Sequence, residues 1–223
     1  MTRLAPAALV LLLMTPITAR AQVALVEEVN SKSAGVQSMD YVTTGRQIRL
    51  GQQDTLVLSY LGSCWRETIA GGTVTVGTEQ SDVADGTVER QKIDCDGGRL
   101  ILTAQQASQS AGMVVRGLGA KAVAPEPQVT LFGTSPLVEI KGGGVIFIER
   151  LDQPGERQKI DTGGQLLMKG AFYDFARTNK ALAPGGVYRA STGARQVVFK
   201  IDPGAKPGAS PILGRLLRLQ PAI

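Results

Sequence analysis

The carboxylates Glu27, Glu28, Asp40, Glu67, Glu79, Asp82, Asp94 and Asp96 are of a type that could serve as general acids and bases. Two such groups held about 5 to 9 Å apart across a cleft can hydrolyse a glycosidic bond. No spacing in this chain brings a pair together in that way. Most stand beside Ser, Thr or Gly in turn sequences, where solvation or Asx-type bonding to the backbone is the ordinary role. The chain contains no histidine, so Ser-His-Asp and Cys-His nucleophilic arrangements are excluded.

The two cysteines, Cys64 and Cys95, could form a metal pair, a redox pair or a disulfide. Without histidine and without C-x-x-C spacing, the first two are the weaker readings. In an oxidising compartment one disulfide is the simplest use, closing a loop of about 30 residues. The turns Ser81–Gly86 and Asp96–Gly98 offer oxygen atoms to calcium, yet neither reproduces the regular D-x-[DN]-x-[DN]-G loop, and no metal or cofactor is expected. The glycine runs Ala70–Gly72 and Gly142–Gly144 lack the Lys and Ser/Thr of a phosphate loop and read as hairpin turns. Aromatic residues make up 4% of the chain. Trp65 beside Cys64 is expected to pack against the disulfide, and Phe172–Phe175 (FYDF) is either a contact surface or a core connection.

The elements that must carry these residues show the two-residue alternation of half-buried strands. RQIRL, TLVLSY, WRETI, TVTV, VERQKID and RLILT follow one another in the first half; VTLFG, LVEIK, VIFIERL, QLLMK, VYRAS and RQVVFKID follow in the second. In VALVEEV, Val23–Val29, the inward face is ambiguous. TTG, GQQD, LGS, AGG, ADG and DGG punctuate the first half as turns. Such spacing predicts an all-β protein of sandwich or barrel type. A stretch poor in large apolar residues, 123–127, reads as a linker between two β domains, 22–122 and 128–223. Gln105–Gly117 could hold a helical turn and a strand at Met113–Arg116.

Residues 1–21 have the order of a secretory signal peptide: Arg3, an apolar run from Leu4 to Ile17, and Ala19-Arg20-Ala21 as cleavage site. The expected location is therefore periplasmic or secreted, with no membrane insertion after cleavage. Basic residues are scattered in a chain of formal net charge +5, without the clustered stripe that nucleic-acid binding needs. Arg215 and Arg218 come nearest to a patch, and their alternation with leucines reads as an edge strand.

YVTTGRQIRLGQQDTLVLSYLGSCWRETIAGGTVTVG, with its glycine turns, alternating leucines and E-x-x-x-GG-x-V-x-V segment, resembles the periplasmic β domain of FecR-like proteins over roughly Val36–Ile93. That resemblance implies a compact β module that relays signals across an envelope or accompanies Ig-like domains. In the second half Leu182, Pro184, Gly185 and Tyr188 form L-x-P-G-x-x-Y, which resembles the tyrosine corner of immunoglobulin-like and fibronectin-type sandwiches. A Pro-Gly turn before a tyrosine-bearing strand is the plainer reading of the same residues. The resemblance implies a structural tyrosine whose hydroxyl bonds back to upstream backbone.

ERQKID occurs at both Glu89–Asp94 and Glu156–Asp161. The upstream flanks do not align as a duplicated domain would. Each copy runs through Asp and a Gly pair toward an apolar strand, so each is expected to be the first arm of a hairpin; a shared binding motif is the alternative. The expected function is non-enzymatic: a protein-binding, scaffolding or signal-coupling module with an envelope protein partner. Polysaccharide or ligand binding is the second reading.

Overall fold

The structure, a computed structural model, describes residues 21–97, 125–140, 144–153, 155–163, 171–193, 195–209 and 211–219. Alternating apolar positions become strands throughout, and the fold is all-β. In the first half these are β1 (Gln22–Asn30), β2 (Tyr41–Thr43), β3 (Gln47–Tyr60), β4 (Trp65–Val76), β5 (Ser81–Ala84) and β6 (Thr87–Lys92). They form one six-stranded sheet in the order β2-β1-β3-β4-β5, with β6 also on β4. All of these pairings are antiparallel.

GQQD and AGG, read from the sequence as turns, lie instead inside β3 and β4. The ladder passes from Leu50 opposite Gly72 to Thr55 opposite Ala70, so Gly51–Asp54 bulge out of register against Gly71. Next to them, Asp85 and Gly86 separate β5 from β6 on the other edge of β4. These irregularities line up across the sheet and bend it at one place. A side chain does not fit there: a Cβ on Gly72, where φ is +82°, would lie 2.3 Å from the Ala84 carbonyl, and one on Gly86 2.2 Å from that of Gly71. Turn-type residues were thus needed for a bend within continuous strands.

The second half comprises β7 (Val129–Gly133), β8 (Leu137–Glu139), β9 (Val145–Arg150), β10 (Arg157–Asp161), β11 (Phe172–Asp174), β12 (Val187–Thr192), β13 (Arg195–Lys206), a 3-10 turn at Leu213–Arg215 and β14 (Leu216–Arg218). They form a five-stranded sheet, β10-β9-β12-β13-β7, and a three-stranded one, β11-β8-β14. The pairings β7 with β13 and β8 with β14 are parallel. Ile146, Ile148, Tyr188 and Phe199 from the larger sheet share a core with Leu137, Phe172, Leu216 and Leu217 from the smaller one. Burying each such side chain contributes about 1.5–3 kcal/mol.

FYDF is therefore core: Phe172, Tyr173 and Phe175 are all buried, and Tyr173 meets Phe175 edge-on at 5.5 Å. Of the two arginines read as an edge strand, Arg218 lies in β14, at the end of the three-stranded sheet, and Arg215 in the 3-10 turn before it. Arg215 is buried and makes two bonds to the Asp174 carboxylate, at 2.6 and 3.1 Å. Strand β1 has two buried faces, which explains its ambiguous pattern. Ala24 and Val26 belong to the first-half core, whereas Leu25, with Met39 and Leu61, joins the core of the second half.

The expected signal peptide, the strands at 99–103, 113–116 and 165–169, the glycine turn at 142–143 and part of the linker lie outside the described residues. Among those described, no helix is long and apolar enough to cross a membrane.

Candidate functional site

Among the described residues, both copies of ERQKID are edge strands. The first lies in and just beyond β6, which pairs with β4 from Thr87 opposite Ala70 to Lys92 opposite Trp65. The second is β10, at the end of the five-stranded sheet, paired with β9 from Arg157 opposite Glu149 to Asp161 opposite Val145. Each copy is held by a strand upstream of it; the downstream segments with which hairpins are expected lie outside the described residues. Along β6, Glu89, Arg90, Gln91 and Lys92 are exposed, and along β10, Arg157, Lys159 and Asp161.

The two copies are anchored differently. In the first, Arg90 Nε donates to Glu67 Oε1 at 2.8 Å and Nη2 donates to the Ser81 carbonyl at 2.6 Å. Glu67 is fully buried, and it also accepts the Ser81 N–H. Ser81 Oγ lies 2.8 Å from the Tyr60 hydroxyl, which burial pushes up to about 12. Lys92 Nζ stands 4.9 Å over Trp65, which is half-buried and packs on the first-half core. In the second copy, Ile160 is buried in the sandwich core and Arg157 lies 4.5 Å over the Phe147 ring.

The halves meet at a charged junction. Glu139 on β8 accepts the Tyr41 hydroxyl at 2.8 Å and Arg218 Nε at 2.9 Å, while the Arg218 guanidinium lies 4.5 Å over the Tyr41 ring. Burial, and then the charge of Glu139, push the Tyr41 hydroxyl far above its ordinary value. Arg218 Nη1 is buried with no hydrogen-bond partner among the described residues, so the guanidinium relies on the ring face for part of its compensation.

A second connection runs through the disulfide. Cys64 and Cys95 are bonded, with Cα atoms 5.7 Å apart. Cys64 is in the left-handed region at φ +54°, and its carbonyl accepts the Ile93 N–H at 3.0 Å. The bridge fixes the strap Ile93–Gly97, which reaches the second half: Asp96 Oδ2 accepts the Thr130 N–H at 2.6 Å, and Ile93 and Cys95 pack on the second-half core. A closed disulfide fits a compartment outside the cytoplasm. Beside the strap a cleft of about 530 Å³ opens between Gln91 and Lys92 on one wall and Phe132, Lys206 and Arg215 on the other.

Tyr188, on β12, has its hydroxyl 3.0 Å from the Ala183 N–H and 3.3 Å from the Ala183 carbonyl. Leu182 is buried, and Gly185 turns with φ +74°. A Cβ on Gly186 would lie 2.6 Å from the Tyr188 ring, so the chain passes directly under the tyrosine.

Of the carboxylates read from the sequence, Glu27, Asp40, Glu67 and Asp96 are held by different partners. Buried Glu27 pairs with Arg66 at 2.9 Å and accepts the Ser59 hydroxyl. Glu67 and Asp96 make the bonds described above. Asp40 accepts the Gln37 N–H, while Glu28, Glu79, Asp82 and Asp94 are exposed on separate loops and strands. Among the described residues no group of three or more Cys, Asp or Glu side chains could hold a metal. Tyr41, Glu139 and Arg218 come from distant segments, so no local pattern in the sequence brings the three together. The comparisons with family models, curated proteins and solved structures returned no match for this chain.

Proposed function

We propose that the protein is a non-enzymatic secreted or periplasmic envelope protein, a protein-binding and scaffolding module able to couple signals through its partner. It comprises a FecR-like β domain followed by an Ig-like sandwich. The Ig-like reading is supported by Tyr188 on β12, flanked by β13 and β9 in the larger sheet, opposite a smaller sheet holding β8 and β11. In Ig-like sandwiches the tyrosine-bearing strand occupies the same place, between the last strand and the third. The disulfide supports an oxidising location.

The observation that carries the reading is the exposure of both ERQKID copies on sheet edges. An edge strand offers unpaired backbone groups, and an added strand from a partner gains main-chain bonds there, with alternate side chains supplying specificity. By contrast, the buried carboxylates Glu27, Glu67, Glu139 and Asp174 are each tied to an arginine, the arrangement of groups that hold a fold together. In situ cross-linking in envelope preparations, followed by identification of the adduct, tests the reading: a defined protein adduct is expected.

The cleft beside Lys92 and Lys206 favours a second reading, in which a polysaccharide or small ligand is bound. Retention on a polysaccharide column without any protein adduct would put that reading first.

A further inference from the structure

The two ERQKID copies are more than similar edges; they are complementary to each other. Protein edge strands usually carry charges that repel a second strand. Laid antiparallel with Glu89 opposite Lys159, these two place Gln91 opposite Arg157 and Val88 opposite Ile160. Opposite charges and apolar pairs directly across a ladder attract, whereas like charges repel. The faces match as well. Val88 packs on the first-half core and Ile160 is buried in the second-half core, so the apolar sides fall together. Glu89, Gln91, Arg157 and Lys159 then share the opposite side. Among the described residues neither the Glu89 nor the Lys159 side chain has a hydrogen bond or ion pair, and both are exposed.

Within one chain the two strands are not neighbours: β6 pairs with β4 and β10 with β9. We propose that β6 of one copy of this chain adds antiparallel to β10 of a second copy. The six-stranded sheet of one molecule thereby continues into the five-stranded sheet of the next. This inference rests on the reading of the edges as protein-binding surfaces, and it names the partner as the chain itself. Because the contact joins two different surfaces, it is head-to-tail and either repeats into an open string or closes into a ring. Symmetric pairing of β10 with itself about its middle residue is disfavoured, since it sets Lys159 against Lys159.

Sedimentation of the purified protein over a concentration series tests the contact. The native protein is expected to show concentration-dependent self-association. Lys159→Glu sets two carboxylates against each other and is expected to weaken association about tenfold. Adding Glu89→Lys to that variant reverses both charges and is expected to restore it. Both positions are exposed, so unchanged circular dichroism and thermal midpoints should accompany these effects. A protein that stays monomeric at every concentration, or a double variant no stronger than the single one, would overturn the proposal. If the protein is monomeric while a cross-linker at position 159 captures a different envelope protein, the self-pairing fails and the edge-binding reading stands. If it is monomeric and nothing is captured, both fail.

Discussion

The guanidinium of Arg218 lies 4.5 Å over the ring of Tyr41, and the two side chains converge on one carboxylate, Glu139. Tyr41 comes from the first half of the chain and the other two from the second. The three tie β2, β8 and β14 together. Their burial means that each depends on the others: a charge out of water is tolerated only while it is paired and hydrogen-bonded.

Glu139→Gln keeps the shape and removes the charge that compensates Arg218. Breaking a buried pair from one side costs about 3–5 kcal/mol. Urea unfolding should show that loss, and the double variant Glu139→Leu with Arg218→Met should recover most of it. A Gln variant as stable as the native protein would mean that the junction contributes nothing.

Loss of the Cys64–Cys95 bridge, by Cys64→Ala with Cys95→Ala, should lower stability by about 3–4 kcal/mol through the entropy of the loop it closes. Because the same bridge fixes the strap that bonds Thr130, amide exchange at Thr130 should accelerate in this variant. Exchange unchanged at Thr130, with stability lowered, would show that the strap holds without the bridge. A thiol assay on the unfolded, unreduced protein should find no reactive thiol.

Gly72→Ala and Gly86→Ala both place a methyl group against backbone in the bend of the first sheet. Each should cost about 1–3 kcal/mol, the range for forced backbone strain. Gly62→Ala meets nothing within 4 Å and should change stability by less than about 0.5 kcal/mol. Equal effects at all three sites would contradict the bend.

Tyr41, Tyr60 and Tyr188 have hydroxyls held above the ordinary tyrosine value near 10, in each case chiefly by burial. A folded-state value above the unfolded one means that, as pH rises, the unfolded chain releases these protons first. The stability contribution is intact below pH 10 and falls above it, for Tyr60 until about 12. Urea midpoints measured stepwise above pH 10 should decline together with the appearance of tyrosinate absorbance. A flat midpoint across that window would contradict the burial of these groups.

The strands were legible because period-two alternation is local: it marks Ile48, Leu50, Leu56 and Leu58 as one buried face wherever the neighbouring strands lie. The bend was not, since Gly51–Asp54 and Gly71–Gly72 have the composition of turns, and composition does not distinguish a reversal from a bulge within a ladder. Tyr188 was legible through a short spacing, its bond partner Ala183 being five residues upstream. Glu139 and Arg218 were not. Tyr41 and Glu139 are 98 residues apart, and nothing near either one indicates the other. For the same reason nothing near Arg215, read as part of an edge strand, indicates that Asp174 receives it in the core.

Protein binding at the ERQKID edges is the proposed activity. It is tested most directly by placing a photo-activated cross-linking side chain at Gln91 or at Lys159, with exposed Arg177 as the control position, and irradiating intact envelopes. A defined protein adduct is expected from both edge positions and none from the control. No adduct from either edge, or equal yields from all three positions, would contradict it.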